Sequence, residues 1–410
     1  MATFKMSSIF FLEQIRMPFS LVWTIMSPTV LFFFLHFNEI GIHAGDSSWI
    51  RGQVSWFLGY ISFSVVLFNY CLYLTGRRES GFIATFVHDM SGRLLFIRSQ
   101  LIASLTMSVV YVCFFVGVVY AGFQAKPDTL TIIMVIKTLC INALMMISMT
   151  AMSSLRITFQ TASTIYSVLI TVCMVFGIVS LKYDHGFINI FNQINPIVVY
   201  STLLGAEKKL ISFDIYLLWH DANVKLGFSY DIPDRAGVEF SMKESLIEIR
   251  DLKFSYKGQN PVFSNLSLEI EQGRLIGLLG ENGAGKTTLF NIIRGGVKNY
   301  QGSVKRHFSD AEMVCLPQII NLSGTLKSEE VLDLVCCFNK ITKKHAWALL
   351  NEKWNDEFFI RYEKIRHKRT YTVSYGEKRW LIISLMLTLC KNARFFYLMS
   401  RLLVLIYSTG

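Results

Sequence analysis

Nine consecutive residues, Gly280 to Thr288, have the spacing of a phosphate-binding loop, G-x-x-x-x-G-K-[ST]. Glycines in such a loop let backbone N–H groups curl around phosphate oxygens. Lys286 would place a positive charge at the terminal phosphates, and Thr287 would offer its hydroxyl to Mg²⁺. The predicted binding residues are Gly280, Glu281, Asn282, Gly283, Ala284, Gly285, Lys286, Thr287 and Thr288.

The segments around this loop have the patterns needed to position it. Arg274 to Leu279 is a short apolar run typical of a buried strand, and the helical run Leu289 to Arg294 follows the loop. A helix that begins at the loop adds its dipole to the anion site. Upstream, Leu246 to Tyr256 and Phe263 to Ile270 alternate as strands do. A nucleotide-binding α/β domain is therefore predicted from about residue 246.

The order of the surrounding residues resembles that of ABC-transporter cassettes, which implies ATP and Mg²⁺ as ligands. By this resemblance, Tyr256 stacks on adenine, and Gln318, after a short predicted strand, senses magnesium and the attacking water. The run from Val373 to Arg379 is similar to the family signature L-S-G-G-Q/E, with Tyr375 in place of the first glycine. Its predicted nucleotide-binding residues are Ser374, Gly376 and Glu377. An ordinary helix N-cap, with Glu377 completing a capping box, is the alternative.

In this family the signature grips the γ-phosphate that is held by the opposite cassette. The resemblance therefore implies a homodimer of this chain or a pairing with a related half-transporter. Lys286 and Gln318 are the residues to which it assigns catalytic roles, and Thr287 and Gln318 those to which it assigns magnesium.

The cassette pattern fails after the apolar strand predicted from Ala393 to Met399. The family continues with an aspartate that holds magnesium and a glutamate that polarises water. Here Ser400 to Gly410 contain no acidic residue. With a suitable choice of codons, the neighbouring frame reads Glu-Pro-Thr-Thr-Gly-Ile-Asp, as these cassettes do. We predict an out-of-frame tail at 400–410, an incomplete cassette and impaired hydrolysis, with a natural short form as the alternative.

The rest of the chain has the composition of a membrane protein. The mean hydropathy of the whole chain is +0.42, too high for one soluble domain. The formal charge of +11 comes partly from basic residues that flank apolar segments, and no nucleic-acid-binding motif accompanies it. We therefore expect membrane lipid, and not nucleic acid, as a partner. The eight cysteines have no zinc-binding spacing.

Five apolar runs are long enough to cross a hydrocarbon layer of about 30 Å. They are Leu21 to Phe37, Val54 to Leu74, Leu101 to Phe123, Leu130 to Met152 and Thr161 to Leu181. Basic residues before the first run and in alternate loops place the N-terminus in the cytosol of a multi-pass inner-membrane protein. Five crossings would leave the nucleotide domain outside, so a sixth is required. The candidates between Phe187 and Trp219 are weak because polar residues and Pro196 interrupt them.

The membrane part resembles the permease subunits of ABC exporters of the drug and polysaccharide type. The resemblance rests on the opening run Leu12 to Pro18, the Arg-bounded second loop, and Asn195-Pro196 before the last span. The predicted fold is a membrane all-α bundle followed by an α/β P-loop NTPase domain of ABC type. The predicted domains are a permease (1–220), a linker (221–245) and a cassette (246–410). The cassette divides into a core (246–318), a helical subdomain (319–375), a signature helix with a truncated Walker B strand (376–399) and the tail (400–410).

These features favour an ATP-driven half-transporter that exports an amphipathic solute, with hydrolysis impaired. The alternatives are a nonhydrolysing nucleotide-binding membrane subunit and a non-functional remnant of a gene.

Overall fold

A computed structural model describes residues 2–87, 89–150, 157–179, 186–205, 245–281, 283–316, 322–399 and 403–408. The chain divides into two compact units. The first contains Thr3–Glu79 and Ile97–Tyr230, and the second contains Ser80–Phe96 and Asp231–Gly410. The predicted linker, 221–245, lies outside the described residues except for Ser245.

Long apolar helices build the first unit. Helix α1 spans Ala2–Ile15 and α2 spans Pro18–Leu35. A continuous helix then runs from Ser47 to Glu79 in three parts: α3 (Ser47–Ser64), a π-helix (Val65–Leu72) and α4 (Tyr73–Glu79). The long helices that follow are α6 (Met90–Gly122), α7 (Thr129–Met149) and α8 (Phe159–Val179).

Among the described residues, four helices are long and apolar enough to cross a membrane, namely Ser47–Glu79, α6, α7 and α8. The first predicted span falls in α2. Its apolar stretch, Thr24–Leu35, is shorter than those of the four long helices. The prediction of an N-terminal apolar bundle is thus confirmed, with four to five apolar helices.

The predicted sixth crossing falls on two short helices, α9 (Gly186–Ile194) and α10 (Pro196–Gly205). They break at Asn195, whose Oδ1 accepts a hydrogen bond from Ile197 N at 3.1 Å while its Nδ2 donates to Cys173 O at 2.8 Å. Proline is well suited to the first turn of a helix, where no N–H partner is needed. Neither helix alone is as long as the roughly 20 residues of an ordinary span, so a sixth crossing stays a prediction. The other candidate, Ile211 to Trp219, lies outside the described residues.

Two sheets form the centre of the second unit. Strands β1 (Ser245–Ser255), β2 (Pro261–Glu271) and β4 (Gln301–Arg306) form an antiparallel sheet in the order β2-β1-β4. The other sheet has the order β3-β7-β6-β5, with β3 at Leu275–Leu279, β5 at Met313–Leu316, β6 at Phe395–Met399 and β7 at Leu403–Ser408. Alternate residues of β1, such as Ile247 and Ile249, are buried in the core, which supports the strand assignment.

The predicted tail contributes a strand to this sheet. Strand β7 pairs antiparallel with both β3 and β6, whereas β5 and β6 pair in parallel. The run Leu-Val-Leu-Ile-Tyr is rich in residues that favour strands. Strand β7 therefore lies between β3, the strand that precedes the loop, and β6.

Helices connect β5 to β6. They are α12 (Ser328–Phe338), α13 (Lys343–Lys353), α14 (Asp356–Ile365) and α15 (Tyr375–Leu389). The side chains of Thr342 and Asn355 cap α13 and α14 by accepting backbone hydrogen bonds.

The second unit also contains the short helix α5 (Phe82–Phe86) and the first turns of α6. Phe82 and Phe86 are buried, with ring centroids 4.8 Å apart. Both contact Phe338 at the end of α12, at 6.1 and 6.2 Å. The sequence indicated only a basic cytoplasmic loop here, because a five-residue helix has too little periodicity to recognise.

Candidate nucleotide-binding site

The predicted phosphate-binding loop connects β3 to helix α11, which spans Lys286–Ile293. Gly283 and Gly285 both have left-handed backbones, with φ of +91° and +89°. Residues with a Cβ rarely adopt this conformation. At Gly285 there is also no space, because an added Cβ would lie 2.5 Å from Cγ1 of Val262. Val262 and Phe263 therefore fix the loop from outside, a contact that the sequence pattern did not reveal.

The ammonium group of Lys286 lies inside the loop. Its Nζ donates to the carbonyl of Glu281 at 2.8 Å and to that of Gly280. A half-buried cation held by neutral carbonyls, at the N-terminus of a helix, suits an anionic ligand. Thr287 is exposed in the first turn of α11, where its hydroxyl can reach a metal bound to phosphate. The loop therefore fits a nucleotide phosphate with Mg²⁺, for which Thr287 would provide one oxygen.

Tyr256 lies next to the phosphate-binding loop. Its hydroxyl is 3.1 Å from Oγ1 of the buried Thr288, and its ring contacts Phe254 edge-on with centroids 4.9 Å apart. The ring is 42% exposed, so one side remains open to a ligand. The structure thus brings together Tyr256 and the loop, although stacking on adenine stays a prediction.

The predicted signature residues lie at the start of α15. Ser374 is the N-cap, and its hydroxyl accepts a hydrogen bond from Glu377 N at 3.3 Å. The Glu377 carboxylate in turn accepts from Ser374 Oγ at 2.7 Å and from Ser374 N at 3.0 Å. These bonds, led by that of the Ser374 hydroxyl, hold the pKa of the Glu377 carboxyl below its ordinary value.

The capping box is the alternative that the sequence left open, and the structure shows it. It does not exclude a signature role, because exposed Gly376 leaves the helix N-terminus accessible. The contact of Ser374, Gly376 and Glu377 with an opposing nucleotide stays a prediction.

Two predicted residues, Asn282 and Gln318, lie outside the described residues. Among the residues that the structure describes, His, Cys, Asp and Glu form no cluster suited to a metal. Directly after β6 the sequence has Ser400 and Arg401 where the family pattern requires acids.

Replacing Gly285 with alanine is expected to disrupt the loop. The left-handed backbone and the overlap with Val262 should together cost about 2 to 4 kcal/mol, and ATP affinity should fall at least tenfold. Gly117→Ala, in α6, is the control, because a Cβ there meets nothing within 4 Å and no positive φ is involved. Thermal unfolding and labelling by a photoreactive ATP analogue measure the two effects. Equal unfolding temperatures and equal ATP labelling in the two variants would contradict this account of the loop.

Comparison with known proteins places this loop in a family. Residues 263–398 match the family model described as ABC transporter. A relative that is 68% identical is covered over 90% of its own length. The chain belongs to the ABC transporter family, with membrane and ATP-binding parts.

Two proteins of Escherichia coli are similar to different shares of the chain. Protein McbE is 68% identical over 216 residues, which are 53% of this chain and 90% of that protein. Protein McbF is 75% identical over 154 residues, which are 37% of this chain and 62% of McbF. The chain thus spans less than two thirds of McbF. The high-affinity zinc uptake system ATP-binding protein ZnuC of Bacillus subtilis (strain 168) is 30% identical over 153 residues, 35% of this chain and 65% of that protein.

Proposed function

We propose that the chain is a half-transporter that binds ATP in the cytosol and uses cassette closure to export an amphipathic solute across the inner membrane. The observation that supports this most strongly is the predicted phosphate-binding loop between β3 and α11, in one chain whose described residues include four helices of membrane-spanning length. Similarity to two separate proteins, McbE and McbF, favours a permease and a cassette joined in one polypeptide.

The proposed working unit contains two cassettes, in a homodimer or with a related half-transporter. Lys286 and the loop N–H groups of one cassette would bind the phosphates, and Tyr256 would hold the base. Ser374 and the amides at the start of α15 would bind the same nucleotide from the other cassette. A helix N-terminus accommodates an anion in this way.

The contact of α5 with α12 is the proposed route from nucleotide to membrane. Helix α5 lies between α4 and α6 in the sequence, and its Phe82 and Phe86 pack on Phe338 within the second unit. Movement of α12 would therefore be passed to the ends of two long helices.

Replacing Phe86 with alanine should remove this contact. A large buried aromatic replaced by alanine costs about 3–5 kcal/mol, and Phe86 is 2% exposed. The second unit should unfold at a lower temperature, and the segment 80–96 should become sensitive to protease. Ile360→Ala, at a side chain that is 59% exposed, should change stability by less than about 0.5 kcal/mol. Equal protease sensitivity of segment 80–96 in the Phe86→Ala and Ile360→Ala variants would argue against the contact.

Hydrolysis is proposed to be slow, because Ser400 and Arg401 follow β6 in place of the acids that hold magnesium and orient water. The same observation favours the second candidate, a nonhydrolysing subunit that supports an active partner. Phosphate release by the purified full chain, with photolabelling by an ATP analogue, distinguishes them. Release above a Lys286→Ala reference favours the transporter that turns over. Labelling without release favours the second candidate, and an absence of labelling would refute both.

A further inference from the structure

A π-helix interrupts the long helix Ser47–Glu79 at Val65–Leu72. Each N–H in a π turn bonds to the carbonyl five residues back, one residue further than in an α turn. A π turn therefore accommodates an extra residue. Conversion of the π-helix to an α-helix would rotate the part of the helix that follows by about 100° and shift it along the helix axis by about 1.5 Å. Two registers are thus available to the segment that follows, Tyr73–Glu79.

Helix α6 holds Asn69, in the π-helix, through three hydrogen bonds. The Asn69 carbonyl accepts from Gln100 Nε2 and from Ser104 Oγ, both at 3.2 Å. Its side-chain Nδ2 donates to the hydroxyl of Tyr111, also at 3.2 Å. All four residues are buried, with Gln100 and Ser104 fully so. Because polar groups in a bundle interior need partners, these bonds favour the π register over the α register.

The segment after the π-helix carries the groups that hold helix α1. Arg77 forms an ion pair with Glu13 of α1, and the Tyr73 hydroxyl donates to the same carboxylate at 2.5 Å. Glu13 and Arg77 are 1% and 4% exposed. A rotation of about 100° would move both donors away from Glu13. The π register and the attachment of α1 are therefore coupled.

Each end of this arrangement contains a buried amide with unpaired atoms. Within the described residues, Gln100 Oε1 has no hydrogen-bond partner, and neither has Oε1 or Nε2 of Gln14, which is next to Glu13. Native structures keep few such groups, because each retains the cost of leaving water. A second arrangement in which these amides find partners would recover part of that cost.

We propose that Gln100 and Ser104 are positioning residues that hold Val65–Leu72 in the π register, and that a change to the α register releases α1 from Arg77 during transport. The connection to nucleotide rests on the proposed function. The change of Val65–Leu72 between the π and α registers, which we call the hinge, rests only on contacts within the first unit, the membrane unit.

Cys71 reports on the hinge, because it lies in the π-helix as a free thiol that is 3% exposed. The experiment uses the full chain with the other seven cysteines replaced, in detergent, and measures the rate of alkylation by N-ethylmaleimide without nucleotide. Gln100→Leu and Ser104→Ala should each raise the rate at least tenfold. Ser108→Ala is the matched control, since Ser108 is fully buried on the same helix but bonds to Asn142, at 2.5 Å.

Unchanged alkylation in both test variants, or an equal rise in the Ser108→Ala control, would overturn the hinge. Each variant must elute as the background chain does in size exclusion. If the Gln100→Leu variant does not elute as the background chain does, the alkylation rate of Ser104→Ala, the milder change, decides alone.

A second arm adds ATP and Mg²⁺ to the background chain and to its Lys286→Ala version. If ATP and Mg²⁺ speed Cys71 alkylation in the background chain and not in its Lys286→Ala version, the result would support the change of register during transport. ATP labelling that leaves the Cys71 rate unchanged would overturn that part. An absence of ATP labelling would instead overturn the proposed function, and the nucleotide-free rates would still decide the hinge.

Discussion

Replacing Arg77 with alanine is expected to destabilise the membrane unit by about 3–5 kcal/mol, because the change leaves the Glu13 carboxylate buried without its ion-pair partner. Glu13 is 1% exposed and accepts from Arg77 and Tyr73. The arginine also stacks on aromatic rings, with its guanidinium carbon 4.9 Å from the Tyr73 centroid and 5.6 Å from that of Phe10. Truncation therefore removes packing as well as charge.

Thermal unfolding in detergent measures this loss. Arg51→Ala is the control, because the ion pair of Arg51 with Asp128 is more exposed. The two side chains are 19% and 39% exposed. A pair of that kind contributes about 0–1 kcal/mol. The double variant Glu13→Met/Arg77→Met should recover much of the loss, since an apolar pair leaves no buried charge. Similar unfolding temperatures for Arg77→Ala and Arg51→Ala would contradict the buried ion pair.

Replacing Lys286 with alanine is expected to weaken ATP binding by at least about a hundredfold, equivalent to about 2.7 kcal/mol. The ammonium group is placed inside the loop by the carbonyls of Gly280 and Glu281. It therefore needs little rearrangement to meet a phosphate. Without it, the loop N–H groups and the helix dipole remain, but the positive charge of the ammonium group is lost.

The stabilisation of the chain by ATP provides the measurement. At a ligand concentration of one hundred times Kd, binding should stabilise the folded cassette by about 2.7 kcal/mol, and Lys286→Ala should show almost none of this shift. Lys305→Ala, at an exposed position on β4, should retain it. A full ATP-dependent shift in the Lys286→Ala variant would show that nucleotide binds elsewhere.

The sequence by itself determined the features that depend on contiguous residues. Nine neighbouring residues were enough to predict a phosphate-binding loop, because its glycines act through their own backbone, and the Lys286 ammonium group bonds to carbonyls only five and six residues back. Apolar length alone predicted the long helices, since a hydrocarbon layer fixes how many residues a span needs. The capping box of Ser374 and Glu377 was visible in the same way, as a spacing of three residues.

Only the tertiary structure decided the contacts between residues that are far apart in the chain. Phe338 meets Phe82 and Phe86 across about 250 positions, and no local pattern pairs them. The insertion of β7 between β3 and β6 likewise depends on which strands have free edges once the sheet has formed. The π-helix has the same apolar composition as an α-helix, and it is distinguished by the bonds that Gln100 and Ser104 of another helix make to Asn69. Such pairings depend on the approach of whole elements, and the residues of one segment do not encode that approach.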